Sequence, residues 1–255
     1  MARKFDLDLR IGDAGWWGNE RSMPVAILGR RVWADWPLAL LLVASGVLGG
    51  VAAAPAQACT TSNHCYGTVT GTAAGIDGDY IFITPSCLSI PSGNFVTDEL
   101  WLVDSASAPN WVEVGYLQLG SGINVGGIAT AGRYGFWADQ RPGGGFHAHV
   151  LETNPYLTGG VPAEIWKNTS STWFAYFNGY TGESTSNTMI ATHGDWGSET
   201  TSASAHGLHT GTGAEYEIGS TWHLGVPNPS GGTPALPQTF VWTTYNTDYK
   251  AGVAC

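Results

Sequence analysis

Short runs rich in Val, Ile, Thr, Tyr, Phe and Trp recur from residue 66 onward, each closed by Gly, Pro, Asn or Ser, and helical periodicity is almost absent. Strand side chains alternate between two faces, whereas an amphipathic helix repeats its apolar residues every three to four positions. The pattern predicts an all-β chain, specifically a two-sheet antiparallel β-sandwich of jelly-roll or concanavalin A-like type. Strands are expected near Tyr66–Thr72, Tyr80–Thr84, Glu99–Val103, Trp111–Leu119, Tyr134–Ala138, His147–Glu152, Ala163–Lys167, Thr172–Tyr176, Glu215–Ile218 and Thr239–Tyr245. Turns are expected at Gly75–Gly78, Pro91–Asn94, Pro142–Gly145 and Asn178-Gly179, with one short helix around Thr188–Thr192.

Residues 1–58 are of another kind. Six of the ten Lys and Arg lie in residues 1–31, the apolar run Trp36–Ala54 follows, and Ala56-Gln57-Ala58 closes it. A basic flank, an apolar core and a small-x-small ending predict a secretory signal cleaved after Ala58, with Met23 as the expected true start. A retained membrane anchor and a twin-arginine signal at Arg30-Arg31 are the weaker readings. The remaining 197 residues, 59–255, have the size of one domain, and no linker divides them.

That domain carries Arg133, Arg141, Lys167 and Lys250 against fifteen Asp and Glu, a formal net charge of −11. Nucleic acid and anionic membranes call for a basic surface, so neither is an expected partner. The chain is expected to be secreted, free of the membrane once the signal is removed, and monomeric. All four cysteines fall in this part, as suits an oxidising compartment. Of the three connectivities, Cys65–Cys87 with Cys59–Cys255 is favoured, because the first closes a hairpin-sized segment and the second ties the termini.

Alternation assigns faces. In Trp111–Leu119, Val112, Val114 and Tyr116 share one face while Trp111, Glu113 and Gly115 share the other. In Arg133–Asp139, Tyr134, Phe136 and Ala138 oppose Trp137 and Asp139; in Ala214–Gly219, Tyr216 and Ile218 oppose Glu215 and Glu217. If the aliphatic faces pack between sheets, Glu113, Trp137, Asp139, Glu215 and Glu217 all project from an outer face. On neighbouring strands they would line one acidic groove floored by Trp and Gly.

Neighbouring carboxyls resist simultaneous ionisation, so one keeps its proton while the other acts as a base. That division of labour hydrolyses a peptide bond by activating water and stabilising the oxyanion. Glu113 is the first candidate, with Glu215 or Glu217 as its partner and Trp111, Trp137, Asp139 and Gln118 as substrate contacts. Glu99, beside Trp101, is an alternative second carboxylate, although a strand-start residue satisfying loop amides is the first reading. Gln118 lies five residues from Glu113 and takes the opposite face unless a bulge at Gly115 shifts the register. His147 and His149 share a face, yet no spacing places a third ligand among His206, His209 and His223. The cysteines lack zinc-site spacing, so neither a metal nor another cofactor is expected. No G-x-S-x-G elbow, phosphate loop or dinucleotide fingerprint occurs.

The pieces ELWL (Glu99–Leu102), WVEVGY (Trp111–Tyr116) and RYGFWADQ (Arg133–Gln140), followed by TWFAYF (Thr172–Phe177) and GAEYE (Gly213–Glu217), resemble the neprosin-type glutamic peptidases. More distantly they are similar to the fungal glutamic peptidases. The resemblance implies a two-sheet sandwich with one catalytic glutamate on each of two strands of a concave sheet, acting on proteins or peptides in acid. The matching positions are Glu113 and Glu215, with Glu217 as substitute. Two other readings stand beside it. One is a carbohydrate-binding or glycan-cleaving sandwich using Trp111, Trp137 and Trp173 for stacking. The other is a non-catalytic secreted domain.

Overall fold

The computed structural model describes residues 64–104, 110–156, 158–169, 171–231 and 237–255. The proposed signal and the boundary at residue 58 lie outside them. Among the described residues all fourteen elements are strands, joined antiparallel into one sheet that folds over itself.

The fold turns on β1 (Cys65–Ser89), whose 25 residues far exceed the usual five or six. Its first part pairs with β9 (Ala191–Thr200) and its second with β6 (Val161–Thr169) and β10 (His206–Ile218). One strand thus serves two layers. The change of layer falls where the pairing slips between Thr72 and Ile76 and again before Gly78, with Gly75 at φ 68°. The turn expected at Gly75–Gly78 is therefore a bend within a strand, and the chain does not reverse there.

The first layer continues from β9 through β2 (Phe95–Val103), β3 (Trp111–Leu119) and β4 (Gly132–Arg141) to β5 (Gly145–Thr153). In the second, β6 pairs β7 (Thr172–Phe177), which pairs β8 (Tyr180–Thr185). On its other side β10 pairs β11 (Thr221–Leu224) and β14 (Asp248–Val253), and β14 pairs β13 (Thr239–Thr244). The two-residue β12 (Ser230–Gly231) pairs Val69 and Thr70. Between the layers lies one core: Leu100, Leu102, Val112, Val114 and Tyr116 meet Ile81, Ile83, Ile165, Trp173, Ala175 and Phe177. This is the predicted all-β sandwich.

The far face of the first layer is also partly covered. Leu117, Tyr134, Phe136, Ala138 and Ala148 form a second apolar cluster beneath Ile123, Val125 and Ile128, which the segment after β3 lays over them. Tyr134, Phe136 and Ala138 therefore do not face the core between the sheets. Gly135, Trp137 and Asp139 do, and a Cβ on Gly135 would stand 2.2 Å from Phe177. With both faces of β4 buried, alternation marks two faces without saying which is inward.

No helix forms at Thr188–Thr192. Ala191 already opens β9, which lies between β1 and β2 and buries Trp196 completely. Its Thr, Gly, Ser and Glu residues give it the composition of a loop, and its neighbours override that composition.

Cys87 bonds to Cys255, with Cα atoms 6.1 Å apart, and Cys65 is also disulfide-bonded. Both favoured pairings are thereby overturned. The segment Tyr66–Thr84 is one continuous strand rather than a hairpin, so it leaves no reversal for a Cys65–Cys87 bridge to close. Because the Cys87–Cys255 bridge joins residues 168 apart, Cys87→Ala/Cys255→Ala is expected to cost about 2–5 kcal/mol, read as a lower urea midpoint. No helix of the described residues is long and apolar enough to cross a membrane.

Candidate active site

Three strands set the site. β2 lies between β9 and β3, and both pairings run in register over its length. Directly paired residues point to one side of a sheet, so three rows can be read across it. In the first, Glu199, Thr97 and Leu117 are neighbours; in the second, Gly197, Glu99 and Gly115; in the third, Asp195, Trp101 and Glu113. Three glutamates thus share one face of the first layer, the face turned away from the main core.

Two glycines make their convergence possible. Glu99 has Gly197 on one side and Gly115 on the other, so no side chain separates it from the rows above and below. A Cβ on Gly115 would stand 2.2 Å from the Asp98 carbonyl oxygen and 2.6 Å from the Glu99 Cβ; one on Gly197 would stand 2.2 Å from the Gly67 carbonyl oxygen. Glu113 and Glu199 lean into this hollow from opposite corners, with Glu99 at its floor. The three are 6 %, 8 % and 1 % exposed, so Glu113 and Glu199 are the two that meet solvent.

Each carboxyl has its own partners. The Thr97 hydroxyl donates to Glu99 Oε1 at 2.5 Å and accepts the backbone N–H of Glu199 at 3.3 Å. Glu99 and Glu199 also hydrogen-bond to each other. The Trp111 indole N–H donates to Glu113 Oε2 at 3.2 Å, and Trp101 bonds the same carboxyl. At the rim, His64 Nδ1 pairs with Glu199 Oε1 while its ring meets Phe95 edge-on. Tyr66, opposite Glu199 on β1, hydrogen-bonds Glu199 and packs edge-on against Trp101.

Burial, reinforced by Glu199, pushes Glu113 up to about 8 despite the two indole donors. Burial together with Glu113 and Glu199 holds Glu99 well above the usual carboxylate range. The hydrogen bond that His64 donates to Glu199 raises His64, against the opposing effect of its burial. The hollow therefore holds Glu99 and Glu113 toward their protonated forms beside the paired His64 and Glu199. An acid and a base stand in one place, as amide hydrolysis requires.

Of the residues singled out in the sequence, Glu113, Trp111 and Glu99 belong to this cluster, and the others do not. Trp137 and Asp139 flank Ala138, which is the residue paired with Glu113, so they point the other way. Trp137 is buried against the His149 ring, and Asp139 accepts from Arg141 Nη2 at 2.6 Å and Ser184 Oγ at 2.6 Å. Asp139 and Arg141 border a separate cleft of about 350 Å³ with His147 and His149. No bulge occurs at Gly115, so Gln118 stays on the core side, where its Oε1 accepts from Tyr116 and Arg133. Glu215 and Glu217 lie on β10 in the second layer, and the groove that would unite them with Glu113 does not form. Among the described residues no group of three or more His, Cys, Asp or Glu is arranged to hold a metal ion. Trp173 is fully buried and unavailable for stacking on a sugar.

The sequence pattern does not single out Glu199, His64 or Tyr66, and it offers Glu99 only as the alternative second carboxylate. The missed signal lay in β9, where His193, Asp195, Gly197 and Glu199 alternate around the wholly buried Trp196.

No protein-family model matches the chain, and no curated protein does. Solved structures do match. Scytalido-glutamic peptidase with a transition-state analogue inhibitor aligns at a TM-score of 0.55 and 10 % identity, over 75 % of this chain and 99 % of that one. The same peptidase with a peptide-based transition-state analogue aligns at 0.53 and 8 % identity over the same shares. SCP-B, an eqolisin-family peptidase in complex with the tripeptide Ala-Ile-His, aligns at 0.51 and 9 % identity, again over 75 % and 99 %. The glutamic-peptidase half of the sequence resemblance is supported by these folds, whereas none of them is described as neprosin-type. At such identities what is shared is architecture: this chain has the β-sandwich fold of the glutamic peptidases.

Proposed function

We propose that the chain is a secreted glutamic-type endopeptidase acting in acid on protein or peptide substrates, with Glu199 and Glu113 as its catalytic pair. The observation that carries this reading is the convergence of three buried glutamates on one face of the first layer, two of them reachable from solvent. That the fold is shared with peptidases bound to peptide-like ligands supports it.

Glu199, as the carboxylate paired with His64, takes a proton from the attacking water while its oxygen bonds to the scissile carbonyl carbon. The Glu113 carboxyl gives its proton to the carbonyl oxygen, and Trp101 and Trp111 hold the resulting carboxylate. On collapse, Glu199 passes its proton to the departing nitrogen and Glu113 recovers one from the diol hydroxyl, so both groups return to their starting states. Glu99 and Thr97 position Glu199 from beneath. Hydrogen bonds that strengthen as charge develops stabilise the transition state more than the substrate.

The test is cleavage of a denatured protein at acid pH. Glu113→Gln keeps the shape and removes the acid, and is expected to lower turnover about a hundredfold or more. Undiminished cleavage by that variant, or no cleavage by the unmodified chain under any acid condition, overturns the proposal.

A further inference from the structure

Glu215 and Glu217, which have no place at the glutamate cluster, belong to an ordered surface of their own. Across the outer face of the second layer, strand pairing sets Glu183, Phe174, Trp166, Gly78, Glu217 and Trp222 in one row. The next row holds Tyr176, Glu164, Tyr80, Glu215 and Leu224. Their neighbours one position along each strand, such as Ile165, Ala175 and Ile81, face the core, so these rows face out. The aromatic residues are half-buried, and Phe82, next along β1 on this face, is 40 % exposed.

The rings are arranged as a platform. Trp166 and Phe174 lie stacked with centroids 5.2 Å apart and planes 16° apart, and Tyr80 meets Phe82 edge-on. Gly78 lacks a side chain where Trp222 and the Glu217 carboxyl approach: a Cβ there would lie 3.1 Å from each. Carboxylates are set among the rings, close enough that Glu164 and Glu215, after burial, hold the Tyr80 hydroxyl above its ordinary range. Neither row contains a Lys, Arg or His.

The geometry points to a second binding site on this face, for a polysaccharide of β-1,4-linked amino sugars. Equatorially linked pyranose rings offer flat C–H faces that lie on Trp, Tyr and Phe, and rows running across six and five strands suit an extended polymer. Glutamates between the rings favour a cationic ligand over a neutral one, and an ammonium held near an aromatic face gains a cation–π term as well. An anionic polymer is repelled. An amino-sugar chain supplies both complements, the apolar ring face and the positive charge, whereas a neutral glucan or a basic peptide supplies one.

The experiment is calorimetric titration at mildly acid pH with a soluble glucosamine oligomer, a glucose oligomer of the same length and linkage, and oligolysine. Binding of the glucosamine oligomer well above both others is expected. Glu164→Gln and Glu215→Gln, which preserve side-chain shape, are each expected to weaken it about threefold to tenfold, and Trp166→Ala about tenfold. If Trp166→Ala does not melt cooperatively, the two Gln variants carry the test. No binding, equal binding of the glucose oligomer, equal binding of oligolysine, or indifference to the Gln variants each overturns the assignment. The site does not rest on the peptidase reading, so Glu113→Gln binds the oligomer unchanged, and the two activities fail or survive separately.

Discussion

Replacing Glu199 by glutamine is expected to lower kcat for peptide cleavage by about two to four powers of ten, the usual worth of a positioned general base. The isosteric amide keeps the hydrogen bonds of the hollow but accepts no proton from water. The effect should fall on kcat more than on KM, because the proton transfer is made in the transition state. Glu99→Gln serves as the control. Glu99 is 1 % exposed and bonded to Thr97 and Glu199, so it acts through Glu199 and should cost less in kcat while shifting the pH profile. Equal losses in both variants would mean that the base is misassigned. Full activity in Glu199→Gln would remove it from the mechanism.

Stability should fall as pH rises from about 4.5 toward 8, the reverse of a protein held by ionised salt bridges. Glu113, Glu99, Asp98 and Asp79 are all buried and all raised above the usual carboxylate range, Glu113 to about 8. Such a group keeps its proton when folded and loses it when unfolded across the interval between its two pKa values. Within that interval the folded state binds more protons, so each group lowers unfolding free energy by about 1.4 kcal/mol per pH unit. Below the unfolded pKa the group is protonated in both states and the slope disappears. His64, raised by Glu199, acts in the same direction. His209 opposes them: burial lowers it to about 3, so it favours the folded state less as pH falls below the ordinary histidine value. Urea denaturation from pH 4 to pH 8 measures the sum, with the larger midpoint expected at the acid end. A midpoint that rises with pH would contradict the carboxyl assignment. Glu113→Gln should flatten the upper part of the curve.

The same burial that stores protons for chemistry thus ties the fold to acid. Desolvation raises the carboxyls, and the two glycines facing Glu99 let three of them share one hollow.

Much of this was legible in the chain. The all-β class, nearly every aliphatic or aromatic strand, the range of β3 and the outward turn of Glu113 beside Trp111 follow from alternation, which is a local property. What local pattern cannot carry is which strands are neighbours and which face of a doubly buried strand is inward. β9 has the residues of a loop, so local pattern singles out neither the strand nor Glu199. β4 reads the wrong way round because Tyr134, Phe136 and Ala138 are as apolar as any core face, and local alternation does not show that the loop between β3 and β4 folds back to cover them. Glu215 and Glu217 alternate outward as the pattern predicts, but from the other layer. The chain alone settled which side chains alternate and where strands begin. Tertiary structure alone decided, through the bend of β1 and the pairing of β2 between β9 and β3, which carboxylates meet. The reason is physical: alternation is set by each residue's own backbone, whereas adjacency depends on pairings between residues far apart in the chain, such as Thr97 with Glu199 and Tyr66 with Glu199.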